Sequence, residues 1–344
     1  RRAIEDIKRQ YREKNQRYPD NIHLITFKDG PKNKPNGLNR GYRETTKNVI
    51  CIFDAEDSPH AKIYNTINTI MLRDKADVVQ SGVQLMNYKS TWFSAFNVLE
   101  YFFWFKSGLH AYTNEMDVTP LGGNTVFFKK KWLDKLAALD TEKGYRVWDE
   151  GKLTEDADIG IKLTYMGAKI KIVYEAEQAT REETPENIEQ FIKQRTRWCQ
   201  GFYEIFIDYE WTKLPQLKQR IASFYILLNS ILQAAVLVFL PIGIYIALTQ
   251  RVPVVVALFS WLPVYLLLTQ AVITLIGMRE FAEAYGEKLP LFFRLRMLLF
   301  YYPYQLLLAV SAIRALWRFF TNQSAWEKTA HSNQHRQDGV GHAA

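Results

Sequence analysis

Val49-Ile50-Cys51-Ile52-Phe53-Asp54-Ala55-Glu56-Asp57-Ser58-Pro59 decides how the chain folds. Five apolar residues in a row, followed by three acids in four positions, read as a strand buried on both faces of a parallel sheet and ending at its carboxyl edge. Open α/β sheets bind ligands beyond the carboxyl ends of their strands. Asp54, Glu56 and Asp57 therefore fall at a ligand crevice, with Pro59 opening the next helix.

Outward from this stretch the pattern repeats. Upstream, residues 1–14 form a charged helical lead-in and Ile22 to Phe27 a short β-branched and aromatic strand. Asp29-Gly30-Pro31 closes that strand, and Pro35 suits the first turn of a helix starting near Lys34. The chain opens on Arg1-Arg2-Ala3-Ile4 without an initiator Met or signal peptide, which suggests a preceding segment. Downstream, Ala76 to Gly82, Val126 to Phe128 and Ile170 to Tyr174 read as strands, and Arg181 to Glu186 as a polar loop. The aromatic segment Trp92 to Tyr112 reads as a buried helix; Glu100 and Lys106 argue against a membrane span, and core packing explains it more readily than an acceptor path. Gly122-Gly123-Asn124 forms a turn where backbone can approach a ligand closely. Thr154-Glu155-Asp156 opens a helix whose buried face is Ile159, Leu163 and Met166.

Composition shifts at Ile221, where Leu, Ile, Val, Phe and Tyr take over from a charged globule. Ile221 to Leu248 and Val252 to Met278 are each long enough to span a bilayer and form a hairpin with its tip outward, whereas Met297 to Ile313 is marginal and reads as partly interfacial. The expected organisation is a catalytic domain over 1–187, amphipathic interfacial helices over 188–220 carrying Gln194-Arg195-Thr196-Arg197-Trp198, a transmembrane region over 221–320, and a polar basic tail over 321–344.

The 344 residues carry a formal net charge of +8. No basic run interleaves with aromatics and no zinc or helix-turn-helix spacing occurs, which excludes nucleic acid as a partner. Lys213, Lys218 and Arg220 instead crowd the start of the first apolar run, as a cytoplasmic flank does, so anionic lipid and an anionic substrate are the expected counterparts. Cys51 and Cys199 make neither a disulfide framework nor a metal site, which suits a reducing location.

Acids gathered at a strand end need a positive group between them, and an oxygen-seeking Mg²⁺ or Mn²⁺ supplies it while holding nucleotide phosphates. Each motif alone has a plainer reading. Asp54 to Asp57 could cap the next helix, Thr154 to Asp156 could be a capping box, Arg197 and Trp198 could sit at a bilayer interface, and Lys34 could be a surface lysine.

Together and in this order, the D-x-D-like Asp54 to Pro59, Lys34-Pro35 to Asn39, Gly122-Gly123-Asn124, T-E-D at 154 to 156 and Q-R-T-R-W at 194 to 198 resemble the membrane-bound family 2 glycosyltransferases, the group of cellulose, chitin and hyaluronan synthases. The ending Trp326-Glu327-Lys328-Thr329-Ala330-His331 is similar to that family's W-x-K-T-x-H tail. The resemblance implies an α/β fold of the GT-A (Rossmann-like) type followed by interfacial and transmembrane helices. It implies a nucleotide-sugar donor, UDP-sugar favoured over GDP-sugar, held by Lys34, Asp54, Glu56, Gln194 and Arg197. Asp54, Glu56 or Asp57 would ligate Mg²⁺ or Mn²⁺; Glu56 stands where many members have Asp, which leaves the ligand open between Glu56 and Asp57. Asp156 would be the general base, with Glu155 beside it. Gly122, Gly123, Asn124 and Trp198 would face a polysaccharide or glycolipid acceptor.

The implied protein is an inverting enzyme of a cell membrane, multi-pass, with its catalytic domain cytoplasmic and a partner subunit possible. The resemblance implies that it elongates a β-linked polysaccharide, with export as an extension of that role. Two alternatives stand beside it: a transferase adding one sugar to a lipid, and a non-enzymatic transport or binding subunit. The apolar runs carry no mid-span ionisable pair of the kind transport sites use, which counts against the last.

Overall fold

The computed structural model describes residues 23–139, 146–249 and 254–325 together with Asp6, Arg9, Arg12, Glu13 and Glu327. The chain divides into two compact units, Arg1–Thr46 and Lys47–Ala344. In the first, the lead-in residues Asp6, Arg9, Arg12 and Glu13 are helical. Helix α1 (Lys34–Glu44) starts where Asn33 accepts the Asn36 N–H, with a proline in its first turn. Residues 23–27 form no strand, contrary to the sequence expectation. Leu24 and Ile25 are exposed, and β-branched residues make a strand only where a neighbour takes up their backbone groups.

The second unit runs β1 (Val49–Ile52), α2 (Ile63–Arg73), β2 (Val78–Ser81), β3 (Val83–Leu85), α3 (Ser94–Phe103), a π-turn (Trp104–Gly108), α4 (Leu109–Asn114), β4 (Val126–Lys129), α5 (Lys130–Leu139), α6 (Glu155–Tyr165), β5 (Ile170–Val173), β6 (Thr180–Glu182), α7 (Ile188–Ile207), a 3-10 turn (Glu210–Lys213), α8 (Leu217–Thr249), α9 (Val254–Ala284) and α10 (Leu291–Phe320). The main sheet has the order β1-β4-β2-β5, and a second sheet pairs β3 with β6.

The sheet is mixed. β4 runs antiparallel to both β1 and β2, with Ile52 opposite Val126 and Val79 opposite Phe127, while β2 and β5 are parallel. β1 is thus an edge among the described strands rather than a centre of a parallel sheet, and Val49 is exposed. A continuous apolar run reports what covers a strand's faces and is silent on its neighbours' direction. Its first helix begins at Ile63, four residues beyond Pro59.

Residues 181–186 also depart from expectation. Thr180–Glu182 pairs in parallel with β3, and Glu182, Glu183 and Thr184 are buried. Polar composition indicated a loop, but buried hydrogen-bond partners hold these side chains inside.

The aromatic segment lies in the core, as expected. Phe93, Phe96, Phe102 and Phe105 are buried, and Phe96 stacks on Tyr304 of α10 with ring centroids 4.8 Å apart. Burying each such ring contributes about 1.5–3 kcal/mol, and here it joins the sheet domain to the long C-terminal helices. Two helices, Val264–Ala284 and Leu291–Phe320, are long and apolar enough to cross a membrane. A third span is possible if the two parts of α8, bent by 43°, act as one. Pro241, which cannot donate to the carbonyl of Leu237, sits one turn beyond that bend. The third apolar run, marginal in the sequence, is a 30-residue helix, because Arg294, Arg296, Arg314 and Arg318 lie toward its ends without interrupting it. The expected hairpin tip, residues 250–253, and Trp326 and Lys328 to His331 of the tail lie outside the described residues.

Candidate active site

The acids follow β1 directly. Asp57 turns its carboxylate back on the loop, accepting the Asp54 N–H at Oδ2 (2.7 Å). Asn124 donates from Nδ2 to Asp57 Oδ1 (3.2 Å) and to Glu182 Oε2 (3.3 Å), so one amide bridges two buried carboxylates. Ser58 and Arg181 exchange backbone hydrogen bonds of 3.0 and 3.1 Å, which fastens the acid loop to β6. Three chain segments distant in sequence thus meet at one sheet end.

The Gly122-Gly123-Asn124 turn is set by Gln80, the fully buried polar residue of β2. Its Oε1 accepts the Gly122 N–H (2.9 Å), and its Nε2 donates to the carbonyls of Ser81 and Asn124 (2.9 Å each). Thr125 then takes a left-handed φ of 50° and bonds Thr180 through its hydroxyl (2.7 Å).

Two glycines bring the remaining motifs to this turn. A Cβ on Gly160 of α6 would lie 2.3 Å from the Thr119 carbonyl oxygen and 2.7 Å from the Leu121 nitrogen. Only glycine lets α6 lie against the segment leading to Gly122. A Cβ on Gly201 of α7 would lie 2.4 Å from Thr154 Oγ1. α7 therefore seats on the start of α6, and Glu204 of α7 accepts the Leu153 N–H (3.2 Å).

Thr154 makes no side-chain cap, contrary to the capping-box reading. Its hydroxyl is turned onto Gly201 and, with Gln194 Oε1, is a buried polar atom lacking a hydrogen-bond partner among the described residues. Burying a polar group without a partner costs about 1–3 kcal/mol, a cost that a bound ligand can offset.

Asp156 is half-buried in the first turn of α6, beside the buried Glu155. On α7, Gln194 is buried and Arg197 and Trp198 are half-buried. Tyr101 of α3 ties these together. Its ring lies 5.9 Å from that of Trp198. Burial pushes its phenol well above the ordinary value; Glu182 reinforces the rise, as does Asp156 more weakly, while Arg195 and Arg197 oppose it. One hydroxyl thus feels charges from β6, α6 and α7 together.

Of the residues expected from sequence, Asp57 and Asn124 are in direct contact, and Trp198 lies against Tyr101. Asp54 and Glu56 stand on the acid turn, and Gly122 and Gly123 on the turn that Gln80 holds. Lys34 belongs to the other unit, at the start of α1. Sequence reasoning missed Gln80, Tyr101, Glu182 and Arg195 as site residues. The available signals were a glutamine closing an apolar strand and an arginine inside the Q-R-T-R-W run.

No three His, Cys, Asp or Glu side chains converge into a metal cage among the described residues. The oxygen donors Asp54 and Glu56 on one turn nevertheless fit the open mode of Mg²⁺ or Mn²⁺, in which one or two carboxylates suffice and phosphate oxygens and water complete the shell. Asp57, beside them, accepts from Asn124 and from the Asp54 N–H.

The arrangement has recognisable relatives. A family model described as "Glycosyltransferase like family 2" matches residues 5–201, more than half of the chain. The probable glycosyltransferase YdaM of Bacillus subtilis is 26% identical over 187 residues, 53% of this chain and 41% of that protein. The poly-beta-1,6-N-acetyl-D-glucosamine synthase of Staphylococcus epidermidis is 26% identical over 200 residues, 57% of this chain and 44% of the synthase. That of Staphylococcus aureus (strain COL) is 28% identical over 179 residues, 51% and 40%. The matched stretch thus spans less than half the length of these relatives. The solved mannosyltransferase PcManGT from Pyrobaculum calidifontis, in complex with GDP-Man and Mn2+, superposes with a TM-score of 0.47 at 15% identity, over 92% of this chain and 74% of that one. With its mixed α/β sheet, its acid turn and the C-terminal helices packed behind them, the chain belongs to glycosyltransferase family 2.

Proposed function

We propose that the protein transfers a sugar from a nucleotide-sugar donor to a growing β-linked polysaccharide with inversion, at the cytoplasmic face of a cell membrane. The observations that support this reading are the contact of Trp198 with Tyr101, the half-buried Asp156 and Arg197 on the two helices that Gly201 seats together, and the Asn124 bridge at the acid turn. A base, a cation and a flat apolar ring next to a pair of carboxylates are what a displacement at an anomeric carbon requires.

In this mechanism Asp156 takes the proton of the acceptor hydroxyl as it attacks, an effect of about 10²- to 10⁴-fold. Arg197, with Gln194, offsets charge that develops on the departing diphosphate. Trp198, backed by Tyr101, lays an apolar face against the acceptor ring and fixes the attacking oxygen. Asp54 and Glu56 would hold the divalent ion, which when bound supplies electrostatic stabilisation of the diphosphate. Asn124, pinned between Asp57 and Glu182, keeps the acid turn from moving during transfer. A single displacement on an α-linked donor gives a β-linkage.

The polymer-forming relatives support elongation over a single addition to lipid, and the donor proposed is a UDP-sugar ahead of a GDP-sugar. The proposed divisions are a catalytic domain up to residue 187, the helix α7 region, the membrane helices and the tail. Export and a partner subunit extend the reading. The test is the purified protein in nanodiscs with a panel of radiolabelled UDP- and GDP-sugars and Mg²⁺ or Mn²⁺, the products sized after glycosidase digestion. A long β-linked product from one donor is expected; single additions to lipid would establish the rival enzyme, and donor binding without turnover would establish a binding subunit.

A further inference from the structure

Arg195 lies inside the Q-R-T-R-W run and reaches α3 and α10. One of its terminal nitrogens donates to Asn97 Oδ1 and Glu100 Oε2 of α3, at 2.5 Å each, and to the Tyr304 hydroxyl of α10 at 3.4 Å. Tyr304 in turn donates to Glu100 Oε2 (2.7 Å). The guanidinium carbon sits 4.9 Å from the centre of the Trp198 ring and 5.2 Å from that of Phe191. Burial alone would weaken the charge on Arg195, and Glu100, helped by Tyr304, Tyr101 and Cys199, outweighs it, so the cation is kept.

This cluster occupies the junction of three elements: the aromatic helix α3, the motif helix α7 and the membrane-type helix α10. Tyr304 is itself immobilised, buried against Phe96 at 4.8 Å and Phe191 at 5.7 Å. A half-buried ion pair contributes little net stability, so its value lies in fixing one geometry. The group it fixes is the ring one turn away, because a cation over an indole face holds that ring in place.

We infer that Arg195 is a positioning residue: braced by Glu100 and Tyr304, it sets the orientation of the Trp198 ring and makes acceptor recognition depend on where α10 is seated. The acceptor half of this inference rests on the proposed role of Trp198, whereas the ring orientation does not. Tyr304 and Glu100 touch none of the residues assigned to chemistry, so their conservative variants leave the reacting groups in place.

The experiment labels the full chain with 5-fluorotryptophan in nanodiscs and assigns the Trp198 ¹⁹F resonance by its loss in Trp198→Phe. In Tyr304→Phe and Glu100→Gln that resonance is expected to shift or broaden, and in Leu299→Ala, an exposed position on the same helix, to stay. A Trp198 resonance unmoved in both cluster variants overturns the inference. In parallel, UDP-N-acetylglucosamine and a β-1,6-linked N-acetylglucosamine tetramer serve as donor and acceptor probes. KM for the tetramer should rise about tenfold in Tyr304→Phe with kcat within about twofold, and Tyr304→Phe should add nothing to Trp198→Ala, since coupled residues are non-additive. A moved resonance with no turnover of these probes leaves the positioning role standing and overturns the choice of sugar instead.

Discussion

The acid turn and the motif helix are held in different ways. Asp54, Glu56 and Asp57 stand on a short turn after an edge strand, and what steadies them is polar: one asparagine amide between two carboxylates and a backbone bridge to β6. Gln194, Arg197 and Trp198 stand on a 20-residue helix wedged among apolar helices, steadied by packing and by the Arg195 cluster. The first wall can be disturbed locally by changing one hydrogen bond. The second transmits disturbance, because a helix moves as a rod and α10 lies along it. Polar contacts can be changed one at a time, whereas a packed helix carries its side chains together.

The comparison breaks first at Asp156, which belongs to neither brace. Asp156→Asn should lower single-turnover sugar transfer by about 10²- to 10⁴-fold with donor affinity by calorimetry unchanged; unchanged transfer would remove it as the base. Next comes the join between the walls. Gly160→Ala drives a Cβ into two backbone atoms, so a loss of about 1–3 kcal/mol in unfolding free energy should appear as a lowered Tm together with lost activity.

A sharper test isolates the loop wall. Asn124→Asp places a third carboxylate beside Asp57 and Glu182, raising the proton affinity of the group. The variant should lose activity about tenfold near neutral pH and regain part of it as pH falls and one proton is taken up. The wild type, with a neutral amide there, should show no such recovery. The smallest effect concerns the helix wall. Burial pushes the Cys199 thiol up to about 11, and only the thiolate reacts. Iodoacetamide at pH 8 should leave Cys199 unlabelled in the folded protein, with activity intact; rapid labelling would mean that α7 is not packed as described.

Several elements were legible in the residues. The run Val49 to Phe53 announced a strand ending in acids, Gly122-Gly123 a close turn, and Thr154-Glu155-Asp156 a helix start, and each lies where its local signal put it. Direction and partnership were not legible. The antiparallel placement of β4 between β1 and β2, the strand at Thr180–Glu182 and the burial of Glu182 depend on neighbours far along the chain. The same limit applies to Thr154, whose expected cap is replaced by packing on Gly201.

By itself the sequence determined the alternation of strands and helices, the apolar helices after residue 217 and the chemical types available at the site, because periodicity and residue chemistry are local properties. Only the tertiary structure decided that Asn124 would join Asp57 to Glu182, that Tyr101 would collect Trp198 and the charges of α6 and α7, and that Arg195 would lean on a membrane-type helix. Those are contacts between residues 58 to 109 positions apart, and they exist only because apolar packing brings their elements together before any polar group can choose its partner.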